Sequence, residues 1–188
     1  MAKVWNKRMF KLIQDGANAA SKKLADERGA CPDAKMFGFH ERFSNKTAIA
    51  PTASISIITG GTSPGIEPIA ANSFTHKTLS GSFNVRNRHL TKLLETKGRN
   101  DDDTWSSIVT NGGSVQHLDF LDDVEKDVFK TAFELDQRWV IEHAGDRAAM
   151  IDQAQSVNLF LAADVHKRDL NKLHIQAWKQ GVKSLYYC

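Results

Sequence analysis

Two stretches of this chain carry residue types that can do chemistry. In APTASIS, Ala50–Ser56, hydroxyl side chains fall at Thr52, Ser54 and Ser56, on alternate residues after Pro51. Pro51 and Thr52 can also open a short helix. The first N–H groups of a helix have no acceptor inside it, so they point outward. Backbone donors and hydroxyls at a helix start form an anion site suited to a phosphate. The same composition also makes a merely polar, well-capped loop, and spacing alone leaves both readings open. The second stretch is VKSLYYC at the end of the chain, with adjacent phenols at Tyr186 and Tyr187. Stacked phenols can move an electron and a proton together over short steps. Tyrosine is equally a good strand former with a polar tip. Neighbours in a regular strand point to opposite faces, so stacking needs an irregular strand end. On residue type alone, strand formation accounts for the pair.

Other reactive types are less suggestive. GGTSPGIEP holds Glu67 in a rigid Gly/Pro frame, and a tight turn with the glutamate facing water is the expectation. Cys31 in ERGACP has no second cysteine nearby and no neighbour that lowers a thiol pKa, so it reads as a small buried or half-buried apolar filler. The seven histidines show no paired ligand spacing and read as surface or packing residues, so no metal site is expected. Asp101–Asp103 reads as a charged turn in water.

The elements that must position these residues follow from periodicity. Val4, Met9, Leu12, Ile13, Ala17, Ala20 and Leu24 approximate one apolar face of a helix from Val4 to Glu27, with Gly29 as its stop. That helix begins within three residues of Met1, and the expectation is of a longer architecture around it. Ala30 to Asn45 reads as loop, and Thr47 to Ala50 as a short β-leaning run. Asn87 caps a helix to Lys97 that Gly98 ends. Val124, Val128, Ala132, Leu135, Trp139 and His143 predict one helix from Asp122 to about Asp146. Ser156 to Leu161 reads as a strand, Arg168 to Gln180 as an amphipathic helix and Val182 to Tyr187 as a second strand. Together they make a right-handed βαβ unit with a parallel pair. The expected class is α/β. The chain offers few strands and few helices to cover both faces of a parallel sheet, which points to a partial barrel.

Bulk properties exclude several functions. A chain of 188 residues, 41% hydrophobic and 25% charged, can bury an ordinary globular core. Its net charge of +3 is mild and its basic residues are dispersed, so no direct nucleic-acid footprint is expected. No apolar run approaches the roughly 18 residues that span a bilayer, and the first residues lack the apolar block of a signal peptide. No membrane association is expected. The cytoplasm, or a host cell's cytoplasm for a viral protein, is the expected compartment.

Read together, the motifs NKTAIAPTASIS, SPGIEP, LSGSFNVRNRHL, NGGSVQ, DRAAMIDQAQSVNLF and WKQGVKSLYY occur in one order and spacing. That succession resembles the large, catalytic subunit of class I ribonucleotide reductase, from about Lys11 to Tyr187. The resemblance implies that all of residues 1–188 are the C-terminal portion of a ten-stranded α/β barrel, incomplete alone. It implies that Pro51, Thr52, Ala53, Ser54 and Ile55 bind the diphosphate of a ribonucleoside diphosphate substrate, largely through backbone N–H groups. It implies that Tyr186 and Tyr187 relay a radical from a metal-containing small subunit towards an active-site cysteine.

The departures from that family matter as much. The finger-loop cysteine with its asparagine and glutamate has no counterpart here. Cys31 matches a position outside the site, and Cys188 follows the tyrosines. The family's thiol reductant, thioredoxin or glutaredoxin, would act through cysteines this sequence lacks. No cofactor is expected on this chain itself. The resemblance therefore implies a piece of a ribonucleoside-diphosphate reductase, an oxidoreductase making deoxyribonucleotides for DNA synthesis, with the small subunit and the N-terminal part of the large subunit as partners. A different class of function, a non-catalytic interaction module that binds or regulates a reductase subunit, is the alternative.

Overall fold

A computed structural model describes residues 1–60, 63–78 and 81–186. Contacts between residues gather into two compact units. The first comprises Met1–Ala50, Gln137–Leu159 and the residues from Ala163 on; the second comprises Pro51–Asp136 and Phe160–Ala162.

In the first unit, helix α1 spans Ala2–Arg28 and stops where Gly29 takes φ 80°, its N–H bonding the Ala25 carbonyl. Helix α7, Gln137–Ala148, packs against it, and helix α8, Lys167–Lys179, packs against α7. The face of α1 turned to α7 is largely polar. Lys3 pairs with Glu142, Lys7 with Asp146 at 3.0 Å, and Asn6 Nδ2 donates to the His143 carbonyl at 2.9 Å. The N-terminal part of the expected apolar face is thus not packed. Val4, Met9, Leu12 and Ile13, with Trp5 beside them, are exposed, while Ala17 and Leu24 are half-buried. Ion pairs and amide contacts hold the helix on its other side, and the apolar stripe is left uncovered by the described residues. Helix α2, Pro32–Met36, interrupts the expected loop, with Cys31 at its N-cap and proline at its first position.

The expected strands are present as pairings rather than as ladders. Residues 153–158 lie between two other extended segments. On one side, Ile49 and Gln155 form a parallel bridge, with Ile49 N–H on the Ala154 carbonyl and Ser156 N–H on the Ile49 carbonyl. On the other, Tyr186 N–H donates to the Val157 carbonyl at 2.7 Å, and Ser184 Oγ to the Gln155 carbonyl at 3.2 Å. The two segments that flank α8 in sequence are thus tied to each other, but not as the parallel strand pair expected. Neither Ser156–Leu161 nor the described part of Val182–Tyr187 forms a regular strand.

In the second unit, helix α3 spans Ala53–Ile58. Strands β1, Ser73–Thr78, and β2, Gly81–Arg86, form an antiparallel hairpin that periodicity did not predict. Helix α4, Arg88–Thr96, starts at Asn87, whose side chain accepts from His89 and Leu90 N–H. Helix α5, Asp102–Thr110, starts at Asp101, whose carboxylate accepts from Thr104 N–H at 2.8 Å. The expected charged turn at Asp101–Asp103 is therefore a helix start. Leu90, Leu94, Trp105, Ile108, Val115, Leu118 and Leu121 form a buried apolar centre. Each large side chain buried there contributes about 1.5–3 kcal/mol.

The single helix expected from Asp122 to Asp146 is three pieces. Helix α6 covers Asp123–Val128, a 3-10 turn covers Ala132–Glu134, and α7 follows. Asp122 with Glu125, and Thr131 with Glu134, each form a capping box. Two N-terminal signals nine residues apart restart the helix instead of extending it. The run also crosses from one unit to the other at Gln137, and Val124, Val128 and Trp139 are exposed rather than core. Among the described residues no helix is long and apolar enough to cross a membrane.

Candidate functional site

The stretch APTASIS opens a helix, as one of its two readings requires. Thr52 is the N-cap of α3, and its side chain makes no capping hydrogen bond. The N–H groups of Ala53, Ser54 and Ile55, in the first turn, have no acceptor one turn earlier within the helix. Pro51, Ala53, Ser54 and Ile55 are exposed residues. Ser56, by contrast, is buried, and its hydroxyl donates to the Ala53 carbonyl at 2.7 Å. The third alternating hydroxyl therefore braces the helix from behind and is not a ligand group.

The following Gly/Pro loop is tied to this start. Thr52 N–H donates to the Pro64 carbonyl at 2.9 Å. Glu67 is buried, at 5% exposure, which corrects the expectation that it faces water. Its carboxylate folds back over Gly65 so closely that a Cβ at position 65 would collide with Oε2. A side chain at position 65 would displace the Glu67 carboxylate from this place. Rigidity of the loop comes from a buried carboxylate as well as from proline.

Tyr186 belongs to the first unit and Pro51–Ile55 to the second. Tyr186 is half exposed, with its backbone held by the Val157 carbonyl. Tyr187 lies outside the described residues. Cys31 is a free, half-buried thiol whose N–H donates to the Glu41 carbonyl, in keeping with a packing role. Among the described residues no three His, Cys, Asp or Glu side chains gather as metal ligands.

Sequence reasoning missed the residues that hold these segments. Asp152 Oδ2 accepts from Lys46 N–H at 2.7 Å and Thr47 N–H at 3.2 Å, and Asp152 N–H returns a bond to Thr47 Oγ1 at 3.0 Å. Arg147, buried at 4% exposure, donates to Gln155 Oε1 at 2.6 Å, and Gln155 Nε2 donates to the Ala144 carbonyl. Asp152 and its partners Lys46 and Thr47 lie more than a hundred residues apart and leave no periodic signal. The motifs NKTAIA and IDQAQS contain them, but nothing in their spacing pairs them.

Nearby titratable groups are tuned by these contacts. The Ser21 hydroxyl, then the Lys46 ammonium, hold the Glu41 carboxyl below its ordinary value against the opposing effect of burial. Burial, reinforced by the Arg147 charge, pushes the His143 imidazole down despite Asp146 and Glu142.

The family model described as ribonucleotide reductase, barrel domain, matches residues 34–188. The ribonucleoside-diphosphate reductase large subunit of Invertebrate iridescent virus 6 is 52% identical over 168 residues, 87% of this chain and 17% of that protein. The large subunit of Invertebrate iridescent virus 3 is 44% identical over 185 residues, 97% of this chain and 29% of that protein. Among solved structures, the Actinobacillus ureae class Id ribonucleotide reductase alpha subunit matches with a TM-score of 0.87 and 38% identity. That match covers 100% of this chain and 34% of the other. The chain thus spans about a third or less of the length of these relatives.

Proposed function

The chain belongs to the ribonucleotide reductase barrel-domain family, and from that premise we propose that it is part of the large subunit of a ribonucleoside-diphosphate reductase. In this reading Pro51, Thr52, Ala53, Ser54 and Ile55 hold the substrate diphosphate. Tyr186 and Tyr187 pass the radical from a metal-containing small subunit towards a cysteine contributed by the rest of the large subunit. The reaction replaces the ribose 2′-hydroxyl with hydrogen, and a dithiol reductant such as thioredoxin or glutaredoxin restores the site through that remainder. What this chain contributes is binding and orientation. Free N–H groups at the start of α3 fit an anion by direction and by the positive end of the helix dipole. Burial of Ser56 and Glu67 behind them keeps those donors in place.

The likeness over the full chain at a TM-score of 0.87, with APTASIS on a helix start left uncapped by Thr52, is the observation that carries this reading. The outward stripe Val4, Trp5, Met9, Leu12 and Ile13 on α1 supports a need for the remainder of the subunit. The reading is tested by assembling the chain with a complementary large-subunit portion and a small subunit, then following diphosphate reduction. Ser54→Glu places a negative charge in the first turn of α3, where the dipole tolerates it. It is expected to abolish ADP binding with the fold kept; unchanged ADP affinity refutes the phosphate role. Tyr186→Phe or Tyr187→Phe is expected to stop turnover while ADP still binds, and retained turnover refutes the relay. The same α1 stripe also favours the second reading, a non-catalytic module that binds a reductase subunit. Tight association with the complementary portion, with no nucleotide binding and no turnover, would select it.

A further inference from the structure

The segment that carries Tyr186 and the segment that runs into Pro51 are fastened to one turn. Lys183 extends its ammonium onto three successive backbone carbonyls, of Ile151 at 3.1 Å, Asp152 at 2.5 Å and Gln153 at 3.1 Å. From the opposite side, the Asp152 carboxylate takes the N–H groups of Lys46 and Thr47, and the Thr47 hydroxyl takes the N–H of Asp152. Gln153 N–H bonds the Thr47 carbonyl at 3.0 Å, and the parallel bridge at Ile49 continues the contact. Three residues beyond Lys183, Tyr186 N–H bonds Val157 at the far end of the same extended segment. Ala50, one residue past the bridge, is joined directly to Pro51.

An ammonium has three protons, and here each has a carbonyl within reach. This fixes the height of residues 183–186 against residues 151–153 more tightly than the two bonds at Ser184 and Tyr186 would alone. A neutral side chain cannot donate to all three carbonyls.

We infer that Lys183 is a positioning residue, which with Asp152 sets the register of the Tyr186 segment against the segment leading into Pro51. The inference rests on the reading of Tyr186 as a relay and of Pro51–Ile55 as the diphosphate loop. The clasp acts within the first unit, on the Tyr186 segment and on the segment that ends at Ala50, and neither Lys183 nor Asp152 is a catalytic residue.

The test has two arms. In the assembled enzyme, Lys183→Gln is expected to lower turnover by about tenfold, the value of a lost charged hydrogen bond. The KM for the diphosphate is expected to stay unchanged, and Lys183→Arg, which keeps the charge and several donors, is expected to restore most of the rate. Unchanged turnover, or a loss expressed wholly in KM, overturns the inference. In the full chain, amide hydrogen exchange reads the clasp without catalysis. Lys183→Gln is expected to speed exchange at Tyr186 and Ser156 by a similar factor, about tenfold, while Ile108 in the other unit is unaffected. Asp152→Ala removes the acceptor of the opposite half and is expected to release Tyr186 as well as Lys46 and Thr47. Release of Lys46 and Thr47 with Tyr186 still protected shows two separate anchors and overturns the shared clasp. If Lys183→Gln does not fold, the Asp152→Ala result decides. Should Tyr186→Phe and Tyr187→Phe leave turnover intact, the relay reading fails, while the exchange arm still judges the clasp.

Discussion

The interior around Trp105 and the interior around Gln155 are both closed to water, yet they are built from different chemistry. Around Trp105, seven apolar side chains between Leu90 and Leu121 gather from one stretch of about thirty residues. Around Gln155, the buried groups include Arg147 and Gln155 itself, and the nearby ties, Asp152 to Thr47 and Lys183 to the 151–153 turn, join distant parts of the chain. An apolar centre made of neighbours in sequence collapses locally and tolerates small shifts. A polar centre made of distant partners is directional, and it costs most when a single partner is missing. The segment bearing Tyr186 is built the second way.

The largest expected effect tests the apolar side. Trp105→Ala removes a ring at 2% exposure and the Nε1–H bond to Asn100 at 2.7 Å, and is expected to destabilise by about 4 kcal/mol in denaturant unfolding. Hydrogen exchange should place that loss among the amides of α4 and α5. Equal loss of protection across α7 and the Val157 segment would show one cooperative structure and dissolve the contrast. Next comes Arg147→Ala, which takes the Arg147 donor from Gln155 Oε1, in a side chain at 3% exposure, and is expected to cost about 3 kcal/mol. If it costs less than about 1 kcal/mol, the range of an ordinary exposed contact, the directional account of this interior is wrong. The smallest effect is a pH dependence. His143 sits below its ordinary value of 6.5, mainly through burial, so the folded chain binds fewer protons than the unfolded chain. Stability should therefore fall as pH drops through 6.5 towards the lowered folded value, and be fully present above 6.5. Unfolding curves at pH 7.5 and 5.5 should show this fall, reduced in His143→Gln. A variant with the same fall would place the titration elsewhere.

What the sequence revealed divides along the same line. Local signals were legible. Gly29 ended α1, Asn87 capped α4, and Pro51–Thr52 opened α3. Each is settled by bonds within a few residues. The failures came where a local pattern had two solutions. Apolar residues of α1 line one face, but ion pairs to α7 hold another. The period of Val124 to His143 suited one helix, but Asp122 and Thr131 each begin a new one. The hairpin was hidden because FTHKT has one apolar residue and no alternation, and SFNVR alternates over only five residues beside glycine. The clasp was not legible at all, since Asp152 meets Thr47 across 105 residues and Lys183 meets the Asp152 carbonyl across 31. Of the candidate site, the loop and its helix start could be read, and the ties around Asp152 could not.

The outward stripe of α1 carries one more consequence, for abundance in a cell. Tryptophan, methionine and leucine on an uncovered helix resemble the segments that holdase chaperones and quality-control proteases recognise, and binding by either draws a chain away from its native pool. The steady-state level of this polypeptide is then set by whatever shields Trp5 to Ile13, so that supply of the shield, rather than synthesis alone, fixes how much survives.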